Sequence, residues 1–353
     1  MIFEVNRSDF HQTQLVKNPS PALSEGQVRL VVERFAVTAN NISYALSGEM
    51  LGYWGFFPST DPWGRVPVMG FGRVTESTNP DIAVDSRYFG FFPMANEVVI
   101  AASKSGIGFN DVGAHREPHA AVYTSFTNVT DTIPDAHTGN LYLLLRGLFM
   151  TSWLVDDYLG DNGFHDATST IVTSASSKTS IALAQRLQSR GHHAVGLTSA
   201  GNVSFVESLG YYDQILSYDD IESLDSARLS GVVDMAGNAK VLGRIHQHFS
   251  DSLRFSIQVG ATHWEETEPG GELPGPTPEF FFAPSQIAKR NQDWGPAEAA
   301  ARIDADLLIF FAGTSAWLTV EESSGVAATE PIYRELLEGR TDPAIGHIIA
   351  TAN

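Results

Sequence analysis

The stretch TSTIVTSASSKTSIALAQRLQSRG, residues 168–191, decides the fold of the second half of the chain. It begins with a run typical of a buried strand, continues through a turn of small residues and ends in an amphipathic helix closed by Gly191. A second unit follows, HHAVGLTSA and then NVSFVESLG, before three more strand-like segments, YDQILSY, LSGVVDMAG and RFSIQVGA. Strands that alternate with helices predict a doubly wound parallel sheet, and therefore an α/β fold.

The preceding part of the chain has a different pattern. Over roughly the first 125 residues, short β-type runs such as QVRLVVERFAVT and EVVIAA alternate with Gly, Pro and Asn, which predicts a compact β-rich domain. The C-terminal segment IYRELLEGRTDPAIGHIIATAN has the pattern of a helix, a turn and a last strand. We therefore expect a protein with two domains.

The charge balance excludes several classes of partner. With 41 acidic and 22 basic side chains among 353 residues, the formal net charge is −19, so a nucleic acid or an anionic membrane surface would be repelled. The chain has no cysteine, which excludes disulfides and zinc held by thiolates. The apolar runs are too short to span a bilayer, and the N-terminal residues do not resemble a secretory signal. We expect a soluble cytoplasmic protein whose partner is a small molecule.

The turn within VTSASSKTSIALAQ, residues 172–185, lacks the glycines of a nucleotide-binding turn. In the motif G-x-G-x-x-G, glycines let the backbone approach a pyrophosphate, which free N–H groups at a helix N-terminus hold. This chain has Ala175, Ser177 and Ser180 at those positions. Either the hydroxyls and a lysine contact phosphate directly, or the added Cβ atoms fill the groove.

We favour anion binding, because a lysine in the first turn of a helix opposes the helix dipole unless an anion lies nearby. The side chains predicted to contact phosphate are those of Ser174, Ser176, Ser177, Lys178 and Thr179. A Walker A phosphate loop is a weaker alternative, since Val172 and Ser177 occupy the positions of its two required glycines.

Several segments, taken in order, resemble the medium-chain dehydrogenase/reductase superfamily. FAVTANNISYALSG is similar to its active-site strand and loop, VPVMGFGRVTES to its Gly-rich turn into a strand, and FMTSWLVDDYL to the helix that enters its nucleotide domain. VVDMAGN and SIQVGATHW resemble the ends of its fourth and fifth strands, and LLEGRTDPAIGHIIA its closing helix and strand. The layout is most similar to that of the zinc-free quinone oxidoreductases, in a divergent branch of unknown function.

This resemblance implies a domain organisation and a cofactor. It implies a GroES-like catalytic domain over residues 1–130, a Rossmann-like nucleotide-binding domain over residues 131–280, and a return segment over residues 281–353 that completes the catalytic domain. The implied cofactor is NADP(H). Dimers are common among such proteins, so a homodimer is one possible assembly.

The segment that would hold the 2′-phosphate of NADP departs from the family pattern. Family members that use NADPH place a serine and a lysine after the second strand, whereas LTSAGN keeps Thr198 and Ser199 but has Asn202 in the place of the lysine. Tyr218, which matches a family tyrosine near that phosphate, would have to compensate. The resemblance also assigns Gly260, at the end of the fifth strand, to the cofactor site. NADP is the preferred ligand, and a protein without any nicotinamide cofactor is the alternative.

The same resemblance suggests residues that would handle the substrate. Tyr44 matches the substrate-pocket tyrosine of the family, with Asn40 and Asn41 just upstream. A phenol can donate a hydrogen bond to a carbonyl oxygen as negative charge develops on it, and a carboxamide can orient that oxygen. Tyr53 and Trp54 would form an apolar wall of the pocket. The alternative is that Tyr44 is packed in the interior with its hydroxyl satisfied.

Three further residues complete the predicted site. His263 follows a predicted parallel strand, where ligands gather in doubly wound sheets, and its imidazole can act as an acid or a base near neutral pH. Trp264 would stack on a ring of the ligand or seal the loop. Arg146 lies in an apolar helical run and needs an anionic partner, for which we favour Asp156 or Asp157 over a carboxylate substrate.

Two histidine pairs have spacings that occur in metal sites, His115 with His119 and His246 with His248. Pro118 interrupts the first pair, and neither pair has an evident third ligand. We therefore expect no metal site.

Together these features predict a zinc-free oxidoreductase in which NADPH delivers hydride to a conjugated carbonyl or a quinone-like small molecule. The alternative from another class is a lyase or hydrolase that uses the same scaffold for acid–base bond cleavage without a nicotinamide cofactor. A third alternative is an interaction module without catalytic activity. A fold by itself does not decide among these functions.

Overall fold

The computed structural model describes residues 1–117, 119–133, 135–259 and 273–351. The strands are β1 (Ile2–Asn6), β2 (Asp9–Val16), β3 (Gln27–Val37), β4 (Trp63–Gly64), β5 (Pro67–Ser77), β6 (Arg87–Pro93), β7 (Glu97–Ser105), β8 (Gly108–Asp111), β9 (Ser125–Asn128), β10 (Ser169–Val172), β11 (His193–Thr198), β12 (Gln214–Ser217), β13 (Ser230–Asp234), β14 (Leu253–Val259), β15 (Glu279–Phe281), β16 (Thr319–Ser324) and β17 (Ile345–Ala350). The helices are α1 (Ala39–Leu46), α2 (Ala121–Thr124), α3 (Ala136–Asp161), α4 (Lys178–Ser189), α5 (Val203–Leu209), α6 (Ala239–Phe249), α7 (Ala283–Trp294), α8 (Pro296–Thr314) and α9 (Thr329–Leu337). Within the described ranges, no helix is both long enough and apolar enough to cross a membrane.

The chain divides into two compact units. The first unit combines Met1–Leu145 with Thr319–Asn353, and the second is Arg146–Leu318. The boundaries expected from the sequence lie at residues 130 and 280, whereas the second unit both begins and ends later in the chain. The reason is that α7 and α8 pack on the part of α3 that belongs to the second unit, where the ring of Phe149 stacks on Phe310 with centroids 5.4 Å apart.

The first unit contains a closed barrel. Strands β3, β5, β6, β9, β8 and β7 pair in that order, all antiparallel, and β7 pairs with β3 again. Closure leaves no free edge along these six strands. The barrel interior holds phenylalanine rings in mutual contact, with Phe126 stacked on Phe109 at 4.7 Å and edge-on to Phe92 at 5.2 Å. The interior is therefore a packed core.

The second unit contains a six-stranded sheet in the order β12, β11, β10, β13, β14, β15, and every neighbouring pair is parallel. Every residue of β10 and β13 is buried, as expected for central strands of a sheet covered on both faces. The chain winds outward from β10 in one direction and then from β13 in the other, so the switch point lies between these two strands. The predicted fold class, a β-rich GroES-like domain plus a Rossmann-type parallel sheet, is confirmed.

Candidate functional site

The turn between β10 and α4 lies at the carboxyl edge of the parallel sheet, beside its switch point. Its backbone is left-handed at Ser174, with φ at 51°, a conformation that glycine adopts more readily than serine. Ala175, Ser177 and Ser180, which the glycine motif covers, do not have a positive φ. The residue that needs glycine-like freedom therefore lies one position before the motif places it.

Two of the hydroxyls in this turn hold the start of α4. Ser177 is the N-cap residue, and its hydroxyl oxygen accepts a hydrogen bond from the amide of Ser180 at 3.2 Å. The hydroxyl of Ser180 donates to the carbonyl of Thr173 at 2.9 Å and ties the helix to the end of β10. The predicted contact between the Ser177 hydroxyl and phosphate therefore needs correction, because capping occupies this group.

A third hydroxyl links the turn to β11. The hydroxyl oxygen of Ser176 accepts hydrogen bonds from the Asn202 amide at 3.1 Å and from the Thr198 hydroxyl at 3.3 Å. Ser176, Thr198 and Asn202, which were all expected to contact phosphate groups of the cofactor, thus bond to one another. Ser199 is exposed, and it precedes a short 3₁₀ helix.

The groups left for an anion include two backbone amides, beside the hydroxyls of Ser174 and Thr179, which make no hydrogen bond within the described ranges. Among the described residues, the amides of Ser176 and Thr179 donate to no partner, and the second of these lies in the first turn of α4. Free N–H groups at a helix N-terminus, where the dipole is positive, attract anions. Lys178, the first residue of α4, is half-buried beside them. The turn therefore fits a phosphate through its backbone.

Tyr218 reaches the same turn from the end of β12. Its hydroxyl oxygen accepts a hydrogen bond from the Ser174 amide at 2.8 Å. Burial raises the pKa of Tyr218, and the charge of Asp234 raises it further, so the phenol is neutral at physiological pH. Tyr218 thus bonds to the turn, and its predicted role beside the 2′-phosphate of NADP stays a prediction.

Asp234, at the end of β13, was not singled out from the sequence. Its side chain is 2% exposed, and one carboxylate oxygen accepts from the Thr173 hydroxyl at 2.6 Å and from the Ala236 amide at 3.0 Å. The other oxygen has no hydrogen-bond partner in the described part of the chain. Burial raises the pKa of Asp234. An acidic residue directly after a buried strand, as in VVDMAGN, is the signal that could have identified it.

The first unit holds three tyrosines in an aromatic cluster. The rings of Tyr44 and Tyr53 lie 4.5 Å apart, and that of Tyr123 lies 5.9 Å from Tyr53. Burial raises the pKa of Tyr44 to about 12, which a hydrogen bond with Asn40 opposes. Burial also raises the pKa of Tyr53 and Tyr123. All three side chains are therefore neutral phenols that can donate hydrogen bonds.

Two residues assigned to this site have structural roles. The side chain of Asn41 accepts from the Thr38 amide at 2.7 Å and donates to the Pro67 carbonyl at 2.9 Å, so it caps α1 and cannot also orient a substrate. Trp54 is 5% exposed and lies between Gly48 and Gly64, where a Cβ would come within 2.2 Å and 2.4 Å of its ring. These predictions fail because the backbone uses both polar groups of the asparagine and the indole fills the core.

A buried charged group adjoins the aromatic cluster and was missed in the sequence. Arg116 is 1% exposed, its guanidinium lies 4.4 Å from the centroid of Phe56, and its Nε lies 3.4 Å from Asp111. Its Nε and one terminal nitrogen have no hydrogen-bond partner in the described ranges, and neither does Nε2 of His119. Burial lowers the pKa of Arg116 to about 10 and raises that of Asp111.

Arg146 has an internal partner, but it is neither of the two expected carboxylates. Its Nε lies 3.4 Å from Asp304 on α8, whereas Asp156 and Asp157 pair with other arginines. The prediction relied on carboxylates near Arg146 in the sequence, and the packing of α8 on α3 supplies a distant one. The predicted roles of Gly260, His263 and Trp264 fall outside the described residues.

The histidines with metal-like spacing have other partners. His246 bonds the Pro274 carbonyl at 2.9 Å and the Ser256 hydroxyl at 2.8 Å, and His248 bonds the Leu224 carbonyl at 2.8 Å. Over the described ranges, no three histidine, aspartate or glutamate side chains are grouped so that they could hold a metal ion.

Comparison with known proteins identifies both a family and a fold. Residues 35–342 match the family described as "Protein of unknown function (DUF2855)". No curated protein matches the sequence. Among solved structures, CurA from Vibrio vulnificus, in complex with NADPH, is 12% identical over 97% of this chain and 94% of its own, with a TM-score of 0.61.

Two further structures are similar over the full length. YhdH from E. coli K-12, with bound NADPH, is 14% identical over 100% of both chains, with a TM-score of 0.59. The YhdH oxidoreductase from Salmonella enterica, in complex with NADP, is 16% identical over 97% of this chain and 95% of its own, with a TM-score of 0.55. The predicted medium-chain dehydrogenase/reductase fold is thus confirmed.

Proposed function

This chain belongs to the family described as "Protein of unknown function (DUF2855)", and from that premise we propose that it is a zinc-free NADP(H)-dependent oxidoreductase. The proposed substrate is a conjugated carbonyl or a quinone-like small molecule. The observation that carries the proposal is the pair of amide donors, Ser176 and Thr179, that remain available at the N-terminus of α4. Proteins of similar fold have been solved with NADPH or NADP bound, which supports this choice of ligand.

The residues of the second unit fit the dinucleotide as follows. The amides of Ser176 and Thr179 hold the pyrophosphate, in the way that glycine-rich turns do with their backbone. Lys178 supplies a positive charge in the same turn, and Tyr218 and the exposed Ser199 are the groups available for the additional phosphate of NADP. The bound cofactor supplies a hydride to an electrophilic carbon. Since the chain has no cysteine, it has no thiolate ligand for a zinc ion that would polarise the substrate.

Tyr44 is the proposed donor to the substrate oxygen. Its pKa of about 12 keeps the phenol protonated, so it can stabilise negative charge that develops on that oxygen. Asn40 fixes the orientation of the hydroxyl. Tyr53 and Tyr123 form the aromatic surface around it.

Titration calorimetry with NADPH, NADH and ATP tests the cofactor. We expect NADPH to bind at least tenfold more tightly than the other two. A Thr179→Asp variant places a carboxylate in the first turn of α4, where it favours the helix but repels a phosphate. We expect unchanged or higher thermal stability together with at least a tenfold loss of NADPH affinity, a difference of about 1.4 kcal/mol.

The matched control is Ala297→Asp, at the second position of α8, the position that Thr179 has in α4. It adds the same charge to the first turn of another helix of the second unit and should leave NADPH affinity unchanged. Equal affinity for NADPH in the wild type, Thr179→Asp and Ala297→Asp would overturn the proposed binding mode.

One observation favours a non-redox lyase or hydrolase as the second candidate. The Ser174 amide is occupied by Tyr218, and the Ser177 hydroxyl both donates to and accepts from Ser180, so fewer groups are available for a dinucleotide than the sequence implies. If none of the three nucleotides binds, this second candidate replaces the first.

A further inference from the structure

A cavity in the second unit lies away from the nucleotide turn, residues 174–180. Its volume is about 660 Å³, within the usual range for small-molecule pockets. It is lined by side chains of α3, α7 and α8 together with Arg190, the residue that follows α4. The turn of residues 174–180 is at the other end of α4, and a helix of this length spans about 18 Å. The cavity is thus separate from the proposed cofactor site.

The acidic side chains of this cavity already have partners. Arg290 bonds Asp157 at 2.6 Å and Asp161 at 2.5 Å. The indole nitrogen of Trp153 donates to Asp306 at 2.7 Å, and an arginine outside the lining pairs with the same carboxylate at 2.6 Å. The negative charges of the lining are therefore compensated from within the protein.

Arg190 is held with its donors available. Its Nε donates to the fully buried Asp156 at 2.6 Å. The guanidinium lies against Gly160 of α3, where a Cβ would be 3.1 Å from its carbon and both terminal nitrogens. Those terminal nitrogens make no hydrogen bond within the described part of the chain. The absence of a side chain at residue 160 thus provides the space that this guanidinium occupies.

Arg302, on α8, is also bonded through its Nε, but to a carboxylate that is half exposed. Its Nε donates to Glu298 at 2.7 Å, and its guanidinium lies 4.3 Å from the centroid of Trp294. Its terminal nitrogens likewise bond no group in the ranges that the structure describes. Arg190 and Arg302 are therefore each bonded through Nε. Their terminal N–H groups are the donors of the lining that remain, whereas its aspartates already have partners.

We propose that this cavity binds a small organic dianion, either a phosphate monoester or a dicarboxylate. A planar guanidinium presents two parallel N–H groups that match the oxygens of a phosphate or a carboxylate. Two anchored guanidinium groups provide two such pairs, which is the complement of a doubly charged ligand. The site is independent of the cofactor, so it stands whether or not NADPH binds.

Titration calorimetry on the full chain tests this site with glycerol 3-phosphate, succinate, inorganic phosphate and, as the uncharged probe, glycerol. We expect one of the two organic dianions to bind and glycerol not to bind. Arg302→Gln should weaken binding about tenfold, since it removes charged hydrogen bonds. Arg340→Gln, which removes another exposed, ion-paired arginine, is the matched control and should leave binding unchanged.

Gly160→Ala keeps every charge and places a Cβ 3.1 Å from the Arg190 guanidinium, which must then shift by a few tenths of an ångström. Because alanine favours a helix more than glycine does, we expect an unchanged or higher melting temperature together with at least a threefold loss of dianion affinity. The proposal is overturned if neither organic dianion binds, or if inorganic phosphate binds as tightly as the organic dianion that does bind. It is also overturned if the Arg302→Gln and Gly160→Ala variants bind that dianion as tightly as the wild type. Saturating NADPH should not displace the probe, and displacement would place it at the nucleotide turn instead.

Discussion

The nucleotide turn of the second unit and the aromatic cluster of the first unit use their polar groups in opposite ways. In the turn, the hydroxyls of Ser176 and Ser177 are bonded within the protein, and backbone amides are left available. Next to the cluster, side-chain nitrogens of Arg116 and His119 are buried without a hydrogen-bond partner among the described residues.

This difference shows which part of each region can meet a ligand. The bonded hydroxyls of Ser176 and Ser177 hold the shape of the turn, and we expect its backbone amides to contact a phosphate. Beside the cluster, Arg116 and Asp111 form a buried ion pair, and removal of one member would leave the other charge buried and unpaired, which is costly. Substitutions in the turn should therefore have small effects, and substitutions in the cluster large ones.

Arg116→Met should have the largest effect on stability. It leaves Asp111, which is 4% exposed, as a buried carboxylate without its ion-pair partner, and such changes cost about 3–5 kcal/mol. The free energy of unfolding in urea measures the loss. The double variant Arg116→Met with Asp111→Leu should recover most of it, since a buried pair can be replaced by apolar groups. A loss below about 1 kcal/mol in the single variant would show that the pair is not the buried feature described here.

Tyr44→Phe should have the next largest effect, on the rate. If Tyr44 donates to the substrate oxygen, its loss lowers kcat/KM about a hundredfold, or about 2.7 kcal/mol. NADPH oxidation with a quinone or an enone measures it. Because the pKa of Tyr44 is about 12, the wild-type rate should show no ionisation of this phenol between about pH 6 and pH 10.

The control for this variant is Tyr88→Phe, a tyrosine buried in the barrel core, which should keep full activity. Equal rates for the wild type and Tyr44→Phe would leave Tyr44 as a packed aromatic residue, the alternative that the sequence also allowed.

The fold followed from the sequence because its signals are local and repeated. Alternation of buried strands and amphipathic helices after residue 168 predicted the parallel sheet, and each strand lies where its apolar run does. The ion pairs were harder to predict from the sequence. Arg146 pairs with Asp304, and no periodicity links two residues so far apart in the chain.

The sequence and the structure both point to the turn of residues 174–180, but they favour different atoms of it for the proposed contact with phosphate. The glycine motif compares residue types and contains no information on φ, so it missed the left-handed Ser174. The serines were expected to face a phosphate because a hydroxyl can do so. Whether a hydroxyl is available depends on neighbours such as Asn202 and Thr198, which only the folded chain brings together.

Ser177→Ala should have a moderate effect on stability and almost none on binding. The loss of a serine N-cap costs about 0.5–2 kcal/mol, which urea unfolding measures. Since this hydroxyl caps α4, the Kd for NADPH should change less than threefold when it is measured under conditions where the variant is folded. A tenfold weaker Kd with unchanged stability would mean that the hydroxyl contacts the phosphate, and the contrast between the two regions would fail.

Ser174→Gly should have the smallest effect and gives the sharpest test of the backbone argument. A left-handed conformation costs a non-glycine residue about 1–2 kcal/mol, whereas glycine adds about 0.4–1 kcal/mol of unfolded-state entropy. The difference predicts a stabilisation of about 0.5 kcal/mol. Ser174→Val should instead lose at least about 1 kcal/mol, because a β-branched residue is strained at this φ.

The affinity for NADPH shows whether the turn contacts phosphate through its backbone or through the hydroxyl of residue 174. Glycine keeps the amide that donates to Tyr218 and removes only the hydroxyl, which makes no hydrogen bond within the described part of the chain. If the turn binds through its backbone, calorimetry should find the NADPH affinity of Ser174→Gly equal to or above that of the wild type. A tenfold decrease would assign the contact to the serine side chain, and the hydroxyls would then be ligand groups after all.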